Sequence, residues 1–493
     1  MKNVYTRDLS AEFIFLNAFL GVVQCDIDNA QWQIKMHLPD GMSCETTELS
    51  AMSDYIQRHP ISLDGKSFPV QIGDANLNME IVKSLYTTIN YNPFKPFVLV
   101  RLFEFVMQPI TKQLCKLRAI VSVTGNVKAP SFSYYFAHWT VADERICCSV
   151  DSPDFGCCLN GINFTFDNRK FLVYDHCQVC GDAKQNLFVV EALDPIDYNK
   201  FKAAVRRILI VIGFITGDYC LGPFWVFNAT THDFIGYSDS MCKGGTAKYH
   251  MFSLNPYEYY SEAEKRPDIG KAIEDQLKPI TRNQLEKLLS ILDDTLFSHL
   301  FFVFQDLILN VSSAMAETKL PIYATCSEMC KNWWKDHYKD NLKKEKTSLY
   351  TKAERTDIYN KIVEILDKDY ANNPDTSICK KKIRNIFQAA NQDMLTEAFE
   401  DVGVELSKEE KNFLGLRNPI LHGKNVVKAV SDEENSSAYV EEVENKCFLY
   451  HALVWRFIMK VIGYEGMYID VATRNKLFRT QGSNNAQPLI KKV

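Results

Sequence analysis

The sequence predicts an α+β multidomain protein, with a β-rich N-terminal domain followed by an all-α helical bundle. Two observations carry this. Hydrophobic residues alternate with period two up to about residue 254, and from about residue 281 they recur with period 3.6. At 493 residues the chain exceeds what one ordinary core holds, so division into domains is expected. The change of period sets the boundaries: a β-rich domain over 1–254, a linker over 255–280, a helical domain over 281–475 and a polar tail over 476–493 that is expected to fray.

In the first half, Ile162, Phe164 and Phe166 point one way and Asn163 and Thr165 the other; "SFSYYF" repeats the period with Phe132, Tyr134 and Phe136. The runs "LRAIVSV", "KFLVYD" and "NLFVVEAL" are β-branched or aromatic and are separated by turn residues. One segment departs from this pattern. "PIDYNKFKAAVRRILIVIGFITG" places Phe201, Val205, Ile208, Leu209 and Ile212 at helical spacing and predicts a helix packed on the sheet, ending on Gly213 or Gly217.

"FIFLNAFLGVVQC" has the apolarity of a signal core. Asp8 and Glu12 precede it, Asn17 interrupts it and no A-x-A site follows, so a buried strand or helix is expected instead. The longest apolar run, Ile208 to Ile215, is far short of the ~20 residues a spanning helix needs. A soluble, cytoplasmic chain with no membrane partner is expected.

In the second half, three capping boxes mark helix starts: Thr281 with Gln284, Thr351 with Glu354, and Ser407 with Glu410. The first predicts a helix with Leu285, Leu288, Leu289, Leu292 and Leu296 on one face, and the second gathers Ile358, Ile362, Ile365 and Leu366. Ile383, Ile386, Phe387, Ala390 and Met394 predict a further helix. Tyr450, Val454, Phe457, Ile458 and Val461 predict the last, stopping at Gly463.

Composition narrows the function. With 46% hydrophobic and 24% charged residues the chain is globular rather than disordered. A formal charge of -5 excludes a basic coat for polyanions, so any nucleic-acid contact must be local. The 15 cysteines are dispersed through a long chain, which points to reduced thiols.

"GLRNPILHGKNV", Gly415 to Val426, is the densest functional stretch. Asn418 before Pro419 reads as a helix start, which would put Arg417 and His422 around a helix N-terminus whose free N–H groups attract phosphate. Asn418 and His422, four apart, share a helix face. Arginine grips phosphate with a planar fork whatever the pH, and histidine carries a proton near neutrality. Together they suit phosphodiester cleavage with no cofactor: a ribose 2'-hydroxyl attacks its own phosphorus, histidine moves a proton, and arginine steadies the developing charge. Bare Arg-to-His spacing is weak evidence, since Arg169 and His176 fit it too, on what reads as a hairpin.

The fuller string R-N-x-x-x-H-G within a helical half is more specific, and "LRNPILHGK" resembles the signature of the HEPN ribonucleases. A β-rich first half before such a bundle is also similar to the ApeA-type proteins of bacterial anti-phage defence. The resemblance implies a homodimer through the helical domain, with two motifs forming one metal-independent RNA-cleaving site that leaves cyclic phosphate and 5'-hydroxyl ends. It further implies transfer RNA as substrate, growth arrest of the infected cell as outcome, and a phage or cellular trigger acting on the first domain. Arg417 would bind phosphate and stabilise the transition state, His422 would be the general base or acid, and Asn418 would position them. One histidine per motif serves only half of an acid–base pair, which makes the dimer part of the mechanism.

Other stretches also have plainer readings. Cys177 and Cys180 in "DHCQVCGD" have a zinc-knuckle gap, but the doublets Cys147–Cys148 and Cys157–Cys158 lack knuckle spacing, so free thiols are expected over structural zinc. In "CKNWWKDHYKDNLKKEK", Trp333 and Trp334 could stack on bases while Lys335 and Lys339, and Lys424 beside the motif, approach phosphates; a half-buried helix with a solvated lysine face is the commoner outcome. "KGGTAK" lacks the phosphate-loop ending and reads as a turn. The non-enzymatic rival is a helical dimer serving as a scaffold or ligand sensor.

Overall fold

The computed structural model describes residues 3–19, 22–27, 30–37, 41–47, 62–90, 97–108, 114–122, 144–149, 158–180, 183–216, 218–219, 221–239, 245–246, 280–309, 315–338, 352–384, 391–423, 433–472 and 490–493. "SFSYYF", the linker through residue 279, Thr351, and Ile386, Phe387 and Ala390 lie outside them. The chain has a β-rich N-terminal half and a helical C-terminal part. It divides into two compact units, Met1–Asp293 with Gln305–Ser313 and Ile462–Lys492, and Asp294–Phe304 with Ala314–Val461 and Val493.

The first unit begins with β1 (Asn3–Asp8), α1 (Ser10–Phe19), β2 (Val23–Ile27), β3 (Ala30–His37), β4 (Gly41–Thr46), β5 (Ser67–Ile72), β6 (Ala75–Asn90), β7 (Phe97–Gln108) and β8 (Leu117–Ser122). It continues with β9 (Glu144–Ser149), β10 (Cys158–Phe166), β11 (Arg169–Cys180), β12 (Ala183–Ala192), α2 (Tyr198–Thr216), β13 (Asp218–Tyr219), β14 (Phe224–Asn228), β15 (Phe234–Ser238) and β16 (Gly245–Thr246).

Fourteen of the described strands form one sheet in the order β1-β9-β10-β11-β12-β8-β14-β15-β7-β4-β3-β2, with β6 also on β7 and β5 on β6. β1 and β9 are parallel, and the other described pairs in this sheet are antiparallel.

Alternation explains the flanks of the sheet. Val23, Cys25 and Ile27 are buried while Gln24 and Asp26 are exposed, and Phe68, Val70 and Ile72 repeat the pattern on β5. Ile162, Phe164 and Phe166 are likewise buried. The centre is buried on both faces, as the continuous apolar runs of β8, β11 and β12 require. The apolar stretch near the start forms α1 and β2. Phe13 and Phe19 of α1 enter the core with Trp32, Phe105, Phe234 and Tyr237.

α2 buries Phe201, Val205, Ile208, Leu209 and Ile212, each removal of a large apolar side chain from water being worth roughly 1.5–3 kcal/mol. Gly213 lies inside it because the Tyr219 ring comes so close that an added Cβ would stand 2.4 Å from Cδ1.

A charged cluster lies beneath the sheet surface. Arg118 of β8 donates to Glu191 of β12, directly opposite it in register, at 2.6 Å, and also to Glu12 of α1. Glu191 accepts further bonds from Arg7 at 2.6 Å and the Tyr174 hydroxyl at 2.8 Å. Burial works to discharge Arg118, but Glu191, Tyr174 and Glu12 outweigh it and raise its pKa.

α3 (Arg282–Ile291) carries the expected capping box of Thr281 and Gln284 and buries Leu285, Leu288 and Leu289, with Leu292 following. It belongs to the first unit rather than to the helical one. Leu296 does not extend its face. The Asp294 carboxylate accepts the Phe297 N–H at 2.8 Å and starts a new helix, α4 (Thr295–Leu309), on which Leu296 is exposed.

The second unit adds α5 (Ala316–Tyr338), α6 (Lys352–Asp369), α7 (Thr376–Arg384), α8 (Asn391–Asp401), α9 (Lys408–Gly415), α10 (Arg417–Leu421) and α11 (Glu433–Val461). Its core packs α11 on α5, where the Tyr323 hydroxyl meets His451 Nδ1 at 3.0 Å. Tyr450, Val454, Phe457, Ile458 and Val461 are buried as expected, and Gly463 turns the chain at φ +81°. α6 forms, yet none of Ile358, Ile362, Ile365 and Leu366 is fully buried, and Ile365 is 54% exposed. Of the helix expected from Ile383 to Met394, Ile383 lies on α7 and Met394 on α8, and residues 385–390 lie outside the described ones.

The tail does not fray at its end. β18 (Ile490–Lys492) pairs antiparallel with β17 (Met467–Ile469), and Lys491 meets the Asp470 carboxylate at 2.5 Å, which fixes a segment that composition alone marks as polar and loose. No single helix among the described residues is long and apolar enough to cross a membrane.

Candidate functional site

The motif lies where α9 runs into α10. Ser407 and Glu410 form the expected capping box, and Glu410 is held in turn by Arg456 of α11 at 2.5 Å. α9 ends at Gly415, but Leu416 keeps helical angles (φ −76°, ψ −8°) and becomes the N-cap of α10 with no side-chain cap.

Asn418 and Pro419 therefore do not start a helix as expected. They sit inside a five-residue turn whose ladder is already interrupted at Leu416, so the missing proline N–H costs little. With one turn there is no substantial aligned dipole, and phosphate attraction must come from side chains.

Arg417 turns toward α5. Its Nη2 stands 2.5 Å from Glu328 Oε2, its Nη1 donates to Asn418 Oδ1, and its side chain is 12% exposed. Glu328 also accepts from Lys331, one turn along α5. Burial pulls Lys331 below the ordinary lysine range; Glu328 opposes this, while Lys335 and Arg417 add to it. Two cations thus share one carboxylate, with Lys335 acting on Lys331 from nearby. Beside them the Phe413 and Tyr450 rings are 4.3 Å apart, and burial raises the Tyr450 hydroxyl while Arg417 opposes.

His422 caps the C-terminal end of α10 and is exposed, as is Asn418. Gly423 follows at φ +65°, with nothing within 4 Å of where a Cβ would stand. Asn418 and His422 share a face, as their spacing requires. Arg417 and His422, five residues apart, are about 140° apart around a helix, so within one chain they do not share a face.

Trp333 and Trp334 are corrected by the structure. Both are buried: Trp333 packs on Phe297, His337 and Phe457, and Trp334 Nε1 donates to Asp401 at 3.1 Å, so neither ring offers a platform to a base. Lys335 is partly exposed near Lys331, whereas Lys339 and Lys424 lie outside the described residues. The backbone of Cys177 and Cys180 continues β11 without the turn a zinc knuckle needs, and their side chains are outside the description. Among the described residues no group of three or more His, Cys, Asp or Glu is arranged to hold a metal.

Sequence reading missed Glu328 and Lys331. Their i, i+3 spacing was visible, but their meeting with Arg417, 89 residues after Glu328, exists only through the packing of α10 on α5. Scans against protein-family models, curated proteins and solved structures each find no match to this chain.

Proposed function

We propose that the chain is an RNA endonuclease of HEPN type that needs no metal and acts in bacterial anti-phage defence inside the cell, with transfer RNA as the substrate class. The observation that carries the reading is Arg417-Asn418-x-x-x-His422-Gly423 on the α10 turn, with His422 and Asn418 exposed and Arg417 among Lys331 and Lys335.

A ribose 2'-hydroxyl attacks the adjacent phosphorus, the P–O5' bond breaks, and a cyclic phosphate and a 5'-hydroxyl result. One imidazole accepts the 2'-hydroxyl proton and another supplies a proton to the leaving oxygen. Arg417 binds the phosphoryl oxygens by exchanging Glu328 for phosphate. Because Arg417 and His422 of one chain do not share a face, a second copy contributing its own motif is part of the reading. The β-rich half serves as the trigger-receiving restraint.

The scaffold reading is favoured by a different observation, the Arg417–Glu328 pair at 2.5 Å, which gives the arginine a structural use. One comparison separates the two. Purified native chain and His422→Ala are incubated with RNA, and the product ends are sequenced. The nuclease reading expects a loss of 10²-fold or more in the variant, on the order of a general acid–base contribution, with cyclic phosphate ends in the native digest. Cutting by neither protein leaves the scaffold, and equal cutting by both overturns the role given to His422.

A further inference from the structure

The first unit holds a cavity of about 410 Å³ beside its buried charged cluster, lined by Arg7, Lys116, Arg118, Glu191 and His232 among others. That volume lies within the usual range of small-molecule sites. These residues come from β1, the approach to β8, β8 itself, β12 and the β14–β15 hairpin.

The carboxylates around it are already engaged. Glu191 is held by Arg118, Arg7 and Tyr174, and Glu12 by Arg118. Asp8 accepts from the Ser10 hydroxyl and N–H at 2.6 and 2.9 Å, which lower its pKa. The cations at the mouth reach solvent. Lys116 is exposed, with no partner for its ammonium among the described residues, and Arg7 keeps 17% of its side chain exposed.

His232 is the least expected member. It adopts φ +64°, a left-handed conformation that costs a non-glycine residue on the order of 1 kcal/mol. The hairpin enforces it: Asn228 Oδ1 accepts the Thr230 and Thr231 N–H groups, and the Asn228 N–H donates to the Asp233 carbonyl at 2.8 Å. The result brings His232 Nδ1 to 3.1 Å from the fully buried Glu12 Oε2. An imidazole whose Nδ1 faces a carboxylate keeps Nε2 for another partner, and a protonated ring donates from both nitrogens. Backbone strain of this kind recurs at ligand clamps and active sites.

We propose that this cavity binds a phosphate monoester, its phosphate seated between Lys116, Arg7 and His232 Nε2. Donors arriving from three elements match a tetrahedral oxyanion, which presents oxygens in three directions, better than a planar carboxylate. The organic part occupies the remaining volume.

The full chain is titrated calorimetrically with AMP, with inorganic phosphate, and with adenosine at constant ionic strength. Saturable binding of AMP and phosphate but not adenosine is expected, with affinity falling tenfold or more in both Lys116→Gln and His232→Gly. The first side chain is exposed, and the second position gains a residue suited to positive φ, so both variants keep the native unfolding midpoint. No saturable binding to the native chain, or a fall of less than tenfold in either variant, overturns the site. RNA cleavage does not enter the readout, so this test stands apart from the ribonuclease reading.

Discussion

Arg118 and Arg417 both hold glutamate carboxylates, but in different surroundings. Arg118 is 4% exposed between Glu12 and Glu191, which are 0% and 2% exposed, and every partner is fixed by a strand or by α1. Arg417 and Glu328 are 12% and 20% exposed, and Arg417 rides on a single turn of helix. Desolvated charges can be held only by one another, whereas charges at a helix tip can exchange a carboxylate for another anion at modest cost. The first cluster belongs to the architecture of the sheet, and the second is open to substitution.

The largest effect should come from breaking the sealed cluster. Glu191→Ala removes the carboxylate that Arg118 and Arg7 share, and a loss of about 3–5 kcal/mol in unfolding free energy is expected from urea denaturation. A loss below about 1 kcal/mol would erase the distinction. Glu328→Gln in the open cluster should cost about 1 kcal/mol or less. On the nuclease reading it should also lower the KM for RNA threefold or more, because phosphate no longer competes with a carboxylate for Arg417; an unchanged or raised KM would tie Glu328 to structure alone.

The smallest effect is a pH dependence. Lys331 is lowered from the ordinary lysine value of 10.5 chiefly by burial, so the folded chain binds fewer protons there than the unfolded chain. Its contribution therefore grows more favourable as pH rises through the lowered pKa toward 10.5. Urea midpoints between pH 7 and 10 should show the native chain gaining on Lys331→Met as pH rises; parallel curves would mean that burial does not perturb this lysine.

Local signals were legible in the sequence. The capping boxes at Thr281 and Ser407, the buried face of α2 and the stop at Gly463 depend on neighbours within a few turns, and each is present. What failed depends on distant contacts. Asn418-Pro419 has the chemistry of a helix start, but α9 carries helical geometry through Leu416 and overrides it. The apolar sides of Trp333 and Trp334 decide their place, because α5 packs against α8 and α11.

The candidate site was half legible. Arg417, Asn418 and His422 were marked by spacing, while Glu328 and Lys331 were not. The sealed cluster was invisible, since residues 118 and 191 meet only across strand register and Glu12 reaches them from α1. Glu12 registered merely as a charge out of keeping with a signal core.

The discontinuity of the first unit carries a consequence for synthesis. Its segments Met1–Asp293 and Ile462–Lys492 bracket almost the whole of the second unit in the chain. Strands β17 and β18 follow those helices in the chain, so the helices that carry the motif are made before the first unit can close. A nascent chain stalled short of residue 462 would present those helices with the first unit unfinished, and cutting the gene at the change of hydrophobic period would sever α3 and this hairpin from the body they belong to.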